Sequence, residues 1–164
     1  MKKYFLIIAT SLLLISCNEK GKTEEAAGAD SPFVENIVHR NIVPTSSLEF
    51  IENWNGKTAM EAGMFEDSVL VKRLENLLEN EFQYFKENWN VQTPIQKVQG
   101  IYSASGCKQN DCSSYYSVVY FDVKNNNINV LIKRGIHSKL FTENGEIPLP
   151  EELKEDQRTI RANA

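Results

Sequence analysis

The chain has 164 residues, of which 41% are hydrophobic and 24% charged, and its formal net charge is -4. This length predicts one domain, and the ordinary composition excludes collagen-like, wholly disordered and multi-span membrane proteins. The acidic balance argues against a nucleic-acid-binding protein, which usually has a basic face. The chain has three cysteines, an odd number that an exported protein has to account for.

The N-terminus has the pattern of an export signal. Two lysines precede an apolar run of 12 residues, 4–15. As a helix this run would reach about 18 Å, too short for a hydrocarbon core of roughly 30 Å. We therefore interpret residues 1–16 as a signal peptide. The stretch Leu14-Ile15-Ser16-Cys17 resembles the lipobox of bacterial lipoproteins, which implies cleavage before Cys17 and a lipid on its thiol. An uncleaved N-terminal anchor is the alternative, and the short run fits it less well.

The predicted cleavage changes the net charge of the mature chain and indicates where the protein is located. Loss of Lys2 and Lys3 leaves 16 basic and 22 acidic residues, a net charge of -6. Residues 17–31 lack aromatic and branched aliphatic side chains, so we interpret them as a lipidated flexible tether. Asn18 follows the cysteine where an aspartate would favour the inner membrane in enteric bacteria. We expect a lipid-anchored envelope protein, on the outer membrane and facing the periplasm or the cell surface.

The first part of the predicted domain, residues 32–164, is helical. Serine and glutamate in Ser46-Ser47-Leu48-Glu49 form a capping-box pattern that predicts a short helix through Trp54. A longer helix is predicted from Ser68 to Glu87, because apolar residues recur there at spacings of three and four. Its apolar stripe contains Leu70, Leu74, Leu77, Leu78, Phe82 and Phe85. Its solvent face is predicted to contain Lys72, Arg73, Glu75, Asn76, Glu79 and Asn80.

The second part has the alternating pattern of strands. The clearest strand is predicted over Tyr115–Val123, followed by an asparagine-rich turn and a partner strand over Ile128–Lys133. One or two strands around Gly100 precede them, another covers Ser138–Thr142, and a short helix begins at Glu151. Helices followed by hairpins predict an α+β fold. We expect an antiparallel β-sheet of about five strands with helices packed on one face.

Cys107 and Cys112 remain after Cys17 is lipidated, and in an oxidising compartment such a pair predicts a disulfide. A ring this small stabilises the fold by only roughly 2 kcal/mol on the chain-entropy model. Its main effect is to fix the shape of the residues it encloses, and a rigid polar loop suits binding because it loses less entropy on meeting a partner. The enclosed residues are Lys108, Gln109, Asn110 and Asp111. Alternatively the bridge only stabilises a tight turn, and the spacing alone favours neither interpretation.

The loop Cys-Lys-Gln-Asn-Asp-Cys at 107–112 resembles the Cys-Lys-Pro-His-Asp-Cys loop of the periplasmic inhibitors of vertebrate lysozyme, the Ivy family. The stretch Thr-Pro-Ile-Gln-Lys-Val at 93–98 is similar to the family's Thr-Pro-Ala-Gln-Thr-Val, and the later strands follow in the same order. The similarity is clearest over residues 93–132. The resemblance implies an antiparallel sheet with helices on one face. It also implies that the loop enters the cleft of a c-type lysozyme and contacts the catalytic carboxylates.

The chemistry of the loop suits that role, with one departure at its centre. A lysozyme cleft holds two carboxylates, for which Lys108 supplies an ammonium group, and an acidic inhibitor is steered toward a basic enzyme. Gln109 replaces the family's proline. Asn110 replaces the histidine that the resemblance implies meets the catalytic acids; its amide donates hydrogen bonds but has no charge. Asp111 matches the family and is expected to brace the loop internally.

Other candidate sites are weaker. His39 and His137 are the only histidines, and neither has metal-ligand spacing to a cysteine or carboxylate. A cysteine nucleophile is not expected because both remaining cysteines are predicted to be oxidised. Three tyrosines could form an aromatic ligand surface, although cross-strand packing is the commoner role for such residues; they are Tyr115, Tyr116 and Tyr120. We therefore expect no metal, cofactor or catalytic residue.

These observations predict a lipid-anchored, non-enzymatic inhibitor of a peptidoglycan-cleaving hydrolase, in the first place a c-type lysozyme. Its partners would be that protein and, through the lipid only, a membrane; nucleic acid is not expected. The alternative is an envelope interaction module on the same scaffold, either an immunity lipoprotein against a wall-degrading toxin or an envelope-assembly lipoprotein. An envelope hydrolase is a third possibility and would require clustered titratable groups in a cleft.

Overall fold

A computed structural model describes residues 36–154 of the chain. The predicted signal peptide, Cys17 and the tether lie outside the described residues. The strands are β1 Asn36–His39, β2 Val91–Gln92, β3 Gln96–Val98, β4 Ile101–Cys107, β5 Tyr115–Asp122, β6 Asn127–Arg134 and β7 His137–Thr142. The helices are α1 Ser68–Leu78, α2 Phe82–Glu87, and two 3-10 helices, Glu49–Trp54 and Glu79–Glu81. Residues 151–154 form a helical turn. No helix among residues 36–154 is long and apolar enough to cross a membrane.

The sheet is mixed and has seven strands, in the order β1-β7-β6-β5-β4-β2, with β3 also pairing β4. The α+β arrangement agrees with the sequence, but the predicted antiparallel sheet of about five strands is wrong. β1 pairs with β7 in parallel, from Asn36 opposite Lys139 to His39 opposite Thr142. Two features explain the error. β1 and β2 contain only four and two residues, too few for an alternating pattern, and the direction of β1 depends on a partner about 100 residues away.

The two faces of the sheet have separate hydrophobic clusters. Val119 and Phe121 on β5 face the helices, whereas Tyr116, Val118 and Tyr120 face the other side, as the alternation predicted. The six apolar stripe residues of the predicted long helix are all buried on the first face. The second face is covered by the C-terminal segment, from which Ile147, Leu149 and Leu153 contribute. The main helices therefore pack on one face, and the helical turn at 151–154 on the other.

The predicted helix Ser68–Glu87 is interrupted. Asp67 caps α1 by accepting a hydrogen bond from the backbone nitrogen of Leu70 at 2.8 Å. Glu79 then has a positive φ of 48°, which ends α1, and α2 begins three residues later. The apolar spacing continues from Leu78 to Phe82 across this break, so periodicity alone could not reveal it.

Arg73 does not lie on the solvent face of α1 as predicted. It is 6% exposed and binds the fully buried carboxylate of Glu143 through two hydrogen bonds, of 2.9 Å from Nε and 2.6 Å from Nη2. Asn126, in the turn between β5 and β6, accepts from the same guanidinium through its side-chain oxygen at 2.8 Å. The prediction was wrong because it assigned charged residues to the solvent face by polarity alone. Arg73 is instead paired with Glu143, which follows β7. The pair fastens α1 to the end of the sheet where β7 finishes.

Candidate functional site

The loop enclosed by cysteines lies at the opposite end of the central strands. β4 ends at Cys107 and β5 begins at Tyr115, and the two strands pair along their length from Ile101 opposite Asp122 to Cys107 opposite Tyr116. The predicted disulfide between Cys107 and Cys112 is present, with the two Cα atoms 4.9 Å apart. The loop is therefore mounted on the middle of the sheet.

Three of the four enclosed side chains face solvent. Lys108, Gln109 and Asn110 are exposed, and Asp111 is half-buried. Asn110 has a positive φ of 61°, in the left-handed region that asparagine adopts more readily than most residues. Its backbone turns the chain at the loop's tip. The three exposed residues are thus available to a partner without rearrangement of the loop.

Asp111 holds the loop together from within. Its carboxylate accepts hydrogen bonds from the Ser114 hydroxyl and from the Lys108 ammonium group, the latter at 3.3 Å. Its backbone nitrogen donates to the Lys108 carbonyl at 3.1 Å, and its carbonyl accepts from Ser114 and Tyr115, both at 3.2 Å. The Ser114 hydrogen bond, followed by that from Lys108, lowers the pKa of the Asp111 carboxyl below its ordinary value. The side chain is therefore ionised and engaged inside the loop.

The segment after α2 supports the base of the loop. Asn90 accepts a hydrogen bond from the backbone nitrogen of Gln109 at 3.3 Å through Oδ1, and donates to the Glu87 carbonyl at 3.1 Å through Nδ2. Its own backbone nitrogen donates to the Cys107 carbonyl at 3.0 Å. One side chain thus joins the loop to the end of a helix. The sequence pattern did not predict this role for Asn90.

Trp89 lies directly against the strand that leads into the loop. A Cβ atom on Gly106 would be 2.4 Å from the Trp89 ring, closer than any side chain could be accommodated. Trp89 is 3% exposed and packs edge-on against Phe85, with ring centroids 5.1 Å apart. A glycine inside a strand, just before a cysteine, is the sequence signal that could have indicated such a close approach.

The other candidate residues do not come together. Tyr116 and Tyr120 line an open groove of about 610 Å³ on the second face of the sheet. Tyr115 faces the helices and packs edge-on against Tyr84 at 5.1 Å, so the three tyrosines do not form one surface. Burial raises the pKa of the Tyr115 hydroxyl.

The two histidines are also separate. The His39 ring hydrogen-bonds the Thr142 hydroxyl at 2.7 Å, where β7 ends, whereas His137 is at the exposed beginning of the same strand. Across residues 36–154, histidine, cysteine and acidic side chains form no group of three or more that could hold a metal ion.

A comparison with protein families gives one match. The family model described as inhibitor of vertebrate lysozyme (Ivy) matches residues 69–163, more than half of the chain, and this range includes α2, Asn90 and the whole loop. No curated protein matches the chain, and no solved structure does.

Proposed function

Because this chain belongs to the Ivy family of inhibitors of vertebrate lysozyme, we propose that it inhibits a c-type lysozyme by placing loop 107–112 in the enzyme's active-site cleft. The family is one of inhibitors, not of enzymes. The observation that carries the proposal is the geometry of the loop, in which exposed polar side chains stand on a base fixed by the disulfide and by hydrogen bonds.

Rigidity favours this role. The disulfide and the Asn90 amide restrain the loop backbone, and the Asp111 carboxylate holds the Lys108 and Ser114 side chains. A partner therefore does not have to order the loop on binding, and more of the contact energy appears as affinity. The internal engagement of Asp111 also keeps its negative charge away from the carboxylates of the target.

Lys108 is suited to meet a carboxylate in the cleft. In the free protein its ammonium group is paired with Asp111 at 3.3 Å, and the two side chains are 48% and 36% exposed. Such an exposed pair contributes little, about 0–1 kcal/mol. In the complex, Lys108 would exchange Asp111 for a carboxylate of the target. That interaction is stronger because the cleft excludes water and the effective dielectric constant there is lower. Asn110 adds a neutral donor at the tip.

We also propose that the inhibitor is anchored by a lipid on Cys17 and held on the outer membrane by the tether 17–31. The short apolar run and the lipobox-like tetrapeptide support this location. The net charge of -6 on residues 17–164 would steer a basic lysozyme toward the anchored domain.

The main test is lysis of cell walls by a c-type lysozyme in the presence of the soluble domain, residues 32–164. We expect inhibition by the wild type and a weaker effect for Lys108→Ala. Lys72→Ala is a matched control, because Lys72 is also exposed and also forms a pair with an acidic residue three positions later. Absence of both inhibition and complex formation at micromolar protein would refute the lysozyme target; equal binding by both variants would exclude Lys108 from the site.

Asn110→His tests the departure from the family's loop. An imidazole that is protonated below about pH 6.5 would add positive charge at the tip. We expect the variant to inhibit more strongly at pH 5.5 than the wild type, with a smaller difference at pH 8. A variant that inhibits less at both values would show that the asparagine is matched to its own target.

Labelling with a radioactive fatty acid tests the anchor. We expect the full-length chain to incorporate the label and to sediment with outer membranes, and Cys17→Ser to lose both properties. Incorporation that persists in the variant would refute lipidation at Cys17.

A further inference from the structure

The turn between β6 and β7 lies beside the disulfide loop. The backbone nitrogen of Gly135 donates a hydrogen bond to the Ser114 carbonyl at 2.8 Å, which joins the two segments. The next residue, Ile136, is 86% exposed. Arg134 and His137 pair across the turn, so it is a two-residue hairpin connection. An almost fully exposed isoleucine therefore follows a glycine whose backbone contacts Ser114, two residues after the loop ends at Cys112.

The geometry of the turn does not require an isoleucine at its second position. Gly135 has a positive φ of 56°, as glycine has at the first position of many hairpin turns. The second position usually has a small polar residue, which is easily solvated. Ile136 adds nothing to the packing of the domain, because its side chain is outside both hydrophobic clusters of the described residues.

Other apolar or aromatic side chains are also exposed around the loop. Val91 on β2 is 46% exposed and pairs directly with Cys107. Tyr84 is 43% exposed, and the Arg134 guanidinium lies over its ring at 4.4 Å. The polar loop is thus bordered by exposed apolar or aromatic side chains on three separate segments. Single exposed apolar residues need no explanation, but this set is arranged around the candidate site.

We propose that Ile136 is a second contact with the same lysozyme and packs on apolar surface at the rim of the cleft that receives the loop. The inference rests on the proposed function. Its physical reason is that a polar contact between Lys108 and a cleft carboxylate is strongest where water is excluded, and apolar groups around it exclude water. Ile136 would be buried only in the complex.

The test is the affinity of the purified full chain, in detergent, for a purified c-type lysozyme. Burial of an exposed isoleucine is worth about a tenfold change in dissociation constant or more. We expect Ile136→Ser to weaken binding by about tenfold. Val43→Ser is the matched control, because Val43 is 84% exposed and follows β1, near the opposite end of β7.

Hydrogen exchange gives a second measurement that requires no substitution. In the complex, peptides that contain residues 134–138 should exchange more slowly together with those from the loop, and peptides around Val43 should not change. Thermal unfolding of Ile136→Ser should match the wild type.

The outcomes separate this inference from the proposed function. Weaker binding by Lys108→Ala with unchanged binding by Ile136→Ser and unprotected residues 134–138 overturns the second contact and leaves the inhibitor proposal intact. Equal weakening by the Ile136 and Val43 variants overturns the second contact as well. A wild-type chain that does not bind lysozyme overturns both.

Discussion

The two ends of the central sheet each carry a lysine or arginine paired with a carboxylate, and the two pairs differ in burial and geometry. At one end, Arg73 and Glu143 form two hydrogen bonds, and their side chains are 7% and 0% exposed. At the other end, Lys108 and Asp111 make one contact of 3.3 Å, and their side chains are 48% and 36% exposed. The same kind of pair therefore fastens a helix to the sheet at one end and, under the proposed function, exchanges partners in a loop at the other.

The difference follows from what happens when a partner is removed. A buried ion that loses its counter-ion has neither water nor charge to stabilise it, so breaking the pair is costly. An exposed ion is solvated at once, and the loss is small. A binding site built on the exposed type can release Lys108 to a target without loss of fold. Substitutions at the buried pair should therefore have the largest effect on stability.

Glu143→Ala should be the most destabilising of these changes. It leaves Arg73 charged and buried, and we expect a loss of about 3–5 kcal/mol in the free energy of unfolding. The measurement is denaturant unfolding of residues 32–164. Glu75→Ala is the control, because Glu75 forms only an exposed pair with Lys72, and it should change stability by less than about 1 kcal/mol. A similar small loss for both variants would contradict the structural role of the buried pair.

Cys112→Ser opens the loop at its exposed cysteine. The ring is small, so we expect a loss of only about 2 kcal/mol or less in unfolding free energy. The loss in the free energy of binding to lysozyme should be larger than the loss in unfolding free energy. The reason is that the opened loop must then be ordered on binding. Unfolding and binding measured on the same preparation test the comparison. Unchanged affinity would show that hydrogen bonds alone keep the loop in shape.

The sequence predicted those parts of the fold whose signal is local. Alternation placed Val119 on one face and Tyr120 on the other, and spacing identified the buried stripe of the helices. It failed where a residue's environment depends on a distant segment. The parallel pairing of β1 required β7, and the burial of Arg73 required Glu143, 70 positions later.

The candidate site shows the same division. Two cysteines and their spacing located the loop and its four enclosed residues, since the cysteines that bound the loop are only five positions apart. The supports of the loop were not predicted, because they join distant positions. Asn90 bonds to Gln109, 19 positions later, and Trp89 packs on Gly106, 17 positions later. Such contacts become apparent only when the segment after α2 is placed beside β4.

Asn90→Ala tests one of these supports. The variant leaves the Gln109 backbone nitrogen without its protein acceptor and removes the link to Glu87. We expect about 1 kcal/mol less stability and a severalfold weaker affinity for lysozyme. Asn76→Ala, at an exposed position on α1, is the control and should change neither. Lower stability with full affinity would mean that Asn90 supports the fold and not the loop's shape.

Ser114→Ala should produce the smallest effect, which is visible in the titration of Asp111. In the folded protein the Ser114 hydrogen bond, followed by that from Lys108, lowers the pKa of the Asp111 carboxyl below its ordinary value, to which it returns on unfolding. A lowered folded pKa means that the interaction is complete above about pH 4 and is lost as the pH falls through the folded value. The variant should therefore show a higher Asp111 pKa in an NMR titration. The reference is Glu61, whose pKa is lowered by hydrogen bonds from Thr58 and should not move. An unchanged Asp111 pKa would show that the Ser114 hydroxyl does not hold the carboxylate, and the loop would then depend more on the ion pair that its proposed target has to break.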